Sequence, residues 1–157
     1  MKSKAAIRNH PLHPAVVAIP IGAFAVALVG DLYGMFAGRE DWAPLADRAI
    51  LVGIVGALLA AVLGFIDFFG VEMSQAGYRV AKIHMVLNLG AVVAYVVSAW
   101  LRTGDGDSRG LAVLLSTVAF LVLGASGWLG GELAFRHKVG VVEGADPEAT
   151  AIGQREA

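Results

Sequence analysis

The chain has 157 residues, of which 57 % are hydrophobic and 16 % are charged, and its mean hydropathy is +0.71, a composition too apolar for a soluble domain. A formal net charge of −1 and the absence of a basic stripe give no reason to expect a nucleic-acid partner. Because there is no cysteine, disulfides, iron–sulfur clusters, thiolate zinc sites and covalently attached c-type haem are excluded. The composition therefore indicates an integral membrane protein in which histidine, carboxylate or carbonyl groups hold any cofactor.

The N-terminal segment contains two histidine–proline pairs, His10-Pro11 and His13-Pro14. A proline disfavours the α region for the residue before it, so both histidines are predicted to be extended, while Pro14 suits the first turn of a helix. In polyproline geometry the two imidazoles would lie on one edge, about 9 Å apart. A long apolar run follows without a small-residue cleavage site, which predicts a retained first span rather than a signal peptide.

Four apolar stretches follow, each about 19 to 25 residues long, and at about 1.5 Å per residue each can cross a hydrocarbon core of about 30 Å. Short connections make sequential spans antiparallel. The predicted fold is therefore an all-α integral membrane four-helix bundle with antiparallel up-down-up-down topology. Residues 1–142 form one domain, and the polar tail 143–157 is predicted to be flexible. The predicted spans are 15–36, 49–69, 83–101 and 111–135.

Four spans place both termini and the connection between spans two and three on one side of the membrane. Lysine and arginine are more frequent on this side than on the other. The positive-inside rule therefore predicts that both termini lie in the cytoplasm.

Polar and small side chains recur at helical spacing and are predicted to face the bundle interior. Glycines in span two and span four form small-residue faces that allow helices to approach closely, and a structural role is the favoured interpretation. The polar residues on one face of span three are His84, Asn88, Tyr95, Ser98 and Arg102.

Antiparallel threading gathers most ionisable residues at the end that carries the termini. A charge within the membrane costs about 2.5–3.5 kcal/mol on insertion scales unless it is paired or hydrated, so this end is the predicted functional centre. Asp67 is predicted to accept a hydrogen bond from His84. Asp31 lies about 26 Å further along span one, where Arg48, Arg102 or Arg109 could pair with it. The gathered residues are His10, His13, Asp67, His84, Glu132 and His137.

Several of these motifs together resemble a bacterial membrane family catalogued as domain of unknown function 2231. The resemblance covers about residues 8–142 and implies a protein of the bacterial cytoplasmic (inner) membrane. Lys138 departs from the family pattern, in which a small residue is expected at this position. The family has no assigned reaction, but some relatives are joined to Rieske-type or cytochrome c-type domains, which implies a redox setting and a membrane redox partner. The motifs are His10-Pro11-Leu12-His13-Pro14, Ile19-Pro20-Ile21-Gly22, Asp31, Gly64, Asp67, His84, Asn88, Gly130-Gly131-Glu132-Leu133, His137 and Gly140-Val141.

Three hypotheses follow for the histidine-rich end. In the first, two imidazoles among His10, His13, His84 and His137 bind a b-type haem between helices. In the second, these histidines and a carboxylate, Asp67 or Glu132, bind a bare transition-metal ion; Glu132 and His137 lie about 140° apart around their helix, which weakens this set.

In the third hypothesis the histidines and carboxylates cap helix ends, pair with Arg79, Lys82 and Arg136, and bind nothing. The protein would then be purely structural or bind a partner, such as a second copy of the chain. A transporter is disfavoured because no inverted repeat or broken helix pair marks a substrate path. The sequence contains no recognisable catalytic motif. It therefore neither indicates nor excludes an enzymatic role.

Overall fold

The computed structural model describes residues 2–8, 10–104 and 108–141. Five α-helices make up most of the described chain, and two short strands precede them. In chain order the elements are β1 (Ala6–Ile7), β2 (His10–Pro11), α1 (Leu12–Val16), α2 (Ala18–Ala37), a 3₁₀ turn (Glu40–Trp42), α3 (Ala43–Gly70), α4 (Gln75–Leu101) and α5 (Arg109–Phe135).

Four helical segments are long and apolar enough to cross a membrane. They are Leu12–Ala37, Glu40–Gly70, Gln75–Leu101 and Arg109–Phe135. Large apolar side chains such as Val29, Leu59, Val93 and Leu121 are more than half exposed on the outer surface, where lipid can cover them. The predicted all-α membrane bundle is confirmed.

The helices begin earlier than hydropathy indicates. Helix α3 begins at Ala43 rather than at residue 49, and α4 at Gln75 rather than at residue 83. The additional turns carry charged side chains, and Ser74 caps α4 by accepting a hydrogen bond from the backbone N–H of Gly77 at 3.1 Å. Hydropathy marks only the lipid-covered part of a helix, whereas backbone hydrogen bonding and capping extend it into the headgroup region.

The four long helices form two antiparallel hairpins, because α2 packs along α3 and α4 packs along α5. Small residues allow close approach within the first hairpin: a Cβ atom added to Gly30 would lie 3.3 Å from Cβ of Ala46, and one added to Gly53 would overlap the ring of Phe24. The structural interpretation of these small residues therefore agrees with their contacts. The buried core shared by both hairpins consists of Phe24, Ala27, Ile50, Ala91, Tyr95 and Ala119.

The two hairpins repeat the same arrangement. Residues that lie 71 positions apart in the first and third spans occupy equivalent places and meet in pairs: His13 with His84, Phe24 with Tyr95, and Asp31 with Arg102. In α3 and α5 the equivalent positions are 66 apart, as in Ala60 and Ser126 or Gly64 and Gly130. A pseudo-two-fold axis along the bundle therefore relates the two hairpins, as in parallel internal repeats of membrane proteins.

The N-terminal segment folds back onto the end of α3. Strands β1 and β2 pair antiparallel, and Arg8 between them has a positive φ of 49°. The extended polyproline geometry predicted for His13 is wrong, because α1 begins at Leu12, whose N–H donates to the carbonyl of Ala5 at 2.8 Å. A tertiary contact thus overrides the local effect of Pro14 on its neighbour. The predicted flexible tail, 143–157, lies outside the described residues.

Candidate functional site

His13 lies in α1 at the end of the bundle that carries the N-terminal segment. Its Nδ1 lies 2.8 Å from the carbonyl oxygen of Ala60 on α3. The imidazole packs over Gly64, where an added Cβ atom would come within 3.2 Å of its Cε1. Because a carbonyl only accepts, Nδ1 of His13 donates in this contact.

His84 on α4 repeats this arrangement in the second hairpin. Its Nδ1 lies 2.8 Å from the carbonyl oxygen of Ser126, and its ring packs over Gly130, where an added Cβ would lie 3.1 Å from Cε1. The side-chain Nδ2 of Asn88 lies 3.2 Å from Nε2 of His84 and also donates to Oγ of Ser126 at 2.8 Å. Asn88 Nδ2 donates as well to the backbone carbonyl of His84 at 2.7 Å, so its two N–H groups serve these two shorter contacts.

The two imidazoles form a pair close to the pseudo-two-fold axis. Their ring centroids are 6.5 Å apart and their planes are nearly perpendicular, at 89°. Donation of Nδ1–H to a backbone carbonyl is the contact that orients most metal-binding histidines and leaves Nε2 free to ligate. His13 and His84 thus share the contact of Nδ1 with a backbone carbonyl that is common among metal-binding histidines.

The other predicted ligands lie elsewhere. His10 is exposed and contacts the carbonyl of Arg8 through Nδ1 at 3.0 Å, whereas His137 follows the end of α5 and lies against Gly77. Glu132 accepts a hydrogen bond from exposed Arg136 at 3.0 Å. Within residues 2–8, 10–104 and 108–141, no group of three or more His, Asp or Glu side chains is placed to hold a metal ion. The six predicted donors therefore do not form one cluster.

The predicted hydrogen bond between Asp67 and His84 is also wrong. The Asp67 carboxylate instead accepts hydrogen bonds from Ser3 Oγ at 2.8 Å and from the backbone N–H groups of Lys4 and Ala5 at 2.7 and 3.0 Å. These contacts anchor the N-terminal segment to α3. No motif in residues 1–8 indicates that residues 3–5 return to this helix end.

Asp31 at the opposite end of the bundle pairs with arginine, as predicted. Arg102 donates from Nη2 and Nη1 to the two carboxylate oxygens of Asp31 at 2.6 and 2.8 Å, and the exposed fractions of these side chains are only 3 % and 1 %. Arg109 also donates to Asp31 at 3.3 Å. Of the three arginines considered, Arg102 and Arg109 are the partners.

Asp47 is a member of this ion-pair cluster that sequence reasoning missed. Its carboxylate accepts from Arg102 at 2.9 Å and from Arg109 at 3.1 Å. Asp47 precedes the predicted start of span two at residue 49, so it was counted with the connection rather than with the helix. Its position three residues before Ile50, which is completely buried, was the available signal.

Comparison with known proteins gives a family but no characterised relative. No curated protein and no solved structure matches the chain. A family model described as "Predicted membrane protein (DUF2231)" matches residues 9–143 and thus includes the paired histidines and the ion-pair cluster. The chain belongs to this DUF2231 family of predicted membrane proteins.

Proposed function

We propose that this protein is a membrane metal-binding module, in which His13 and His84 together bind one transition-metal ion. The observation that carries the proposal is the shared geometry of the two imidazoles: each Nδ1–H is bound to a helix carbonyl, and the rings lie 6.5 Å apart. Imidazole nitrogen suits copper, iron and zinc.

The separation of the rings agrees with a shared ion. Metal–nitrogen bonds of about 2.0–2.1 Å place the two ring centroids about 6.4 Å apart when the two nitrogens lie on opposite sides of the ion, and about 5 Å apart at a tetrahedral angle. The observed 6.5 Å therefore fits two trans ligands, whereas a tetrahedral ion would need the rings to move closer. An ion at this place would replace the contact between Asn88 and Nε2 of His84, and Asn88 would keep its hydrogen bond to Ser126. Water or a small ligand would complete the coordination, since both histidines are partly exposed.

A haem macrocycle fits this pair less well than a bare ion. The two hairpins are already in contact further along the bundle, where the rings of Phe24 and Tyr95 stack with centroids 3.6 Å apart. A macrocycle between His13 and His84 would have to separate the hairpins at their ends, whereas an ion needs no such opening. The four-histidine ligand set is therefore reduced to His13 and His84, and the proposed centre is an ion.

Metal analysis and absorption spectroscopy of the purified protein in detergent test this proposal. We expect copper, iron or zinc close to one per chain in the wild type, and loss of this metal in His13→Ala and in His84→Ala. His10→Ala is the matched control, because His10 is exposed at the same end and makes no contact with the pair. A haem absorption spectrum would show that the centre is a macrocycle and not a bare ion.

A structural role is a second candidate, favoured by the same two hydrogen bonds. The contacts of His13 with Ala60 and of His84 with Ser126 join helices within each hairpin. This role predicts a metal-free wild-type protein in which His13→Ala and His84→Ala lower only the thermal stability. Metal that depends on both histidines would exclude it.

We also propose that both termini, and hence the histidine pair, lie at the cytoplasmic face of a bacterial inner membrane. The excess of lysine and arginine at this end supports the orientation. Reporter fusions at Ala157 test it: a reporter that is active only in the cytoplasm should be active there, and one that is active only outside it should be silent.

A further inference from the structure

The ion-pair cluster at the Asp31 end has a charge distribution that follows the two hairpins. Both carboxylates, Asp31 and Asp47, belong to the hairpin of α2 and α3, and both guanidinium groups, Arg102 and Arg109, belong to the hairpin of α4 and α5. All four ion pairs within the cluster therefore join one hairpin to the other, at 2.6 to 3.3 Å. One hairpin is acidic at this end and the other is basic.

Two other contacts across the axis join residues of the same kind. They are His13 with His84 at one end and the aromatic pair Phe24 and Tyr95 in the middle. These two contacts do not by themselves distinguish one hairpin from the other. Asp31 and Arg102 are also equivalent, but their charges are opposite.

Pairing of identical hairpins would therefore bring like charges together at this end. Two α2–α3 hairpins would place four carboxylates around the axis, and two α4–α5 hairpins would place four guanidinium groups there. Asp31 and Arg102 are almost completely buried, so water could not screen the repulsion. Such repulsion is a known means of rejecting an unwanted partner.

We propose that the cluster of Asp31, Asp47, Arg102 and Arg109 selects the partner of each hairpin. It directs the α2–α3 hairpin to the α4–α5 hairpin and away from the α2–α3 hairpin of a second copy of the chain. The four charges are thus a specificity element for assembly, which prevents exchange of hairpins between neighbouring molecules in the membrane. This inference does not depend on the proposed metal site.

Two variants with charges of one sign test the proposal. In Arg102→Asp/Arg109→Asp both hairpins are acidic, and in Asp31→Arg/Asp47→Arg both are basic. We expect each variant alone to lose the folded, wild-type oligomeric state. When the two are co-expressed with different tags, their hairpins are complementary again, so they should co-purify at least tenfold more than two differently tagged wild-type chains.

A quadruple variant tests the same idea within one chain. Asp31→Arg/Asp47→Arg/Arg102→Asp/Arg109→Asp exchanges the signs of the two hairpins and keeps them complementary. We expect it to regain the wild-type elution volume that the same-sign variants lose. Arg39→Asp/Asp41→Arg is the matched control, because this pair also has two 2.9 Å hydrogen bonds but is exposed and lies within one connection.

Three results would overturn the proposal. The first is a same-sign variant with the elution volume and melting temperature of the wild type. The second is the absence of increased co-purification on co-expression, and the third is a quadruple variant no better folded than the same-sign variants.

Discussion

Phe24 and Tyr95 stack almost parallel in the middle of the bundle, with ring centroids 3.6 Å apart and an interplanar angle of 6°. Each of the two residues is only 1 % exposed, and they occupy equivalent positions of the two hairpins. This contact places the pseudo-two-fold axis between the first and third spans. The histidine pair lies towards one end of these spans and the Asp31–Arg102 ion pair towards the other.

Replacement of Gly53 by alanine should destabilise the protein. The added Cβ atom would overlap the ring of Phe24, which cannot move away because it is stacked on Tyr95. Such overpacking costs about 1–3 kcal/mol. Thermal unfolding in detergent should show a lower melting temperature for Gly53→Ala. Gly22→Ala is the control, since an added Cβ there meets no atom within 4 Å, and equal melting temperatures for the two variants would contradict the prediction.

Removal of the Tyr95 hydroxyl should leave the stability unchanged or raise it. Among the described residues, Tyr95 Oη is a buried polar atom without a hydrogen-bond partner, and such an atom costs about 1–3 kcal/mol. Tyr95→Phe removes this cost and keeps the ring stack on Phe24. A lower melting temperature for Tyr95→Phe would indicate instead that an internal water binds the hydroxyl.

Ser98→Ala provides the comparison for Tyr95→Phe. The Ser98 hydroxyl is also buried, but it donates to the carbonyl of Ala112 at 2.8 Å and accepts from Nε of Arg102 at 3.3 Å. Its removal should lower the stability by about 0.5–1.5 kcal/mol. The melting temperature should therefore fall in Ser98→Ala and stay unchanged or rise in Tyr95→Phe. This difference would show that one hydroxyl on this helix face is hydrogen-bonded and the other is not.

The sequence was sufficient for the fold because long apolar runs fix the number of spans and short connections fix their order. It also placed Asp31 near Arg102 and Arg109, since a buried charge at that depth requires a partner. The partner of Asp67 was missed because the contact with Ser3 joins residues 64 positions apart and depends on how the N-terminal segment folds back.

The sequence contains this internal repeat, but the equivalent residues are too different for residue similarity to indicate it. His13, Phe24 and Asp31 have the same spacing as His84, Tyr95 and Arg102. The chemical difference between Asp31 and Arg102 hides the repeat from a search for similar residues. Only their contact across the axis shows that the two positions are equivalent.

Replacement of Asp67 by asparagine should release the N-terminal segment. Oδ1 of the carboxylate accepts hydrogen bonds from Ser3, Lys4 and Ala5, and Oδ2 accepts a second contact from Ser3. A neutral amide removes the negative charge that strengthens these bonds and replaces Oδ2 by a donor. Hydrogen bonds to a charged group contribute about 1.5–3 kcal/mol each. Hydrogen exchange should therefore become faster at the amides of Lys4 and Ala5 and stay unchanged within α3.

Glu132→Gln is the control for Asp67→Asn, since Glu132 is a carboxylate at the same end whose side chain pairs with exposed Arg136 and with no other residue in the described part of the chain. It should leave the exchange of residues 2–8 unchanged. Unchanged protection of Lys4 and Ala5 in Asp67→Asn would mean that other contacts hold the segment.

Replacement of Gly130 by alanine should disturb His84, whereas the same change at Gly131 should not. A Cβ atom at Gly130 would lie 3.1 Å from Cε1 of His84, so the imidazole must shift away from the Ser126 carbonyl; a Cβ at Gly131 meets no atom within 4 Å. The strain should make Gly130→Ala less stable than Gly131→Ala, which gains the helix propensity of alanine, about 1 kcal/mol, without this close contact. It should also lower the metal content if the proposed site is correct. Thermal unfolding and metal analysis of the two neighbouring variants measure both effects. Because Gly64 has the same relation to His13, Gly64→Ala should act like Gly130→Ala, and a Gly130→Ala protein that matches Gly131→Ala in both measurements would contradict the prediction.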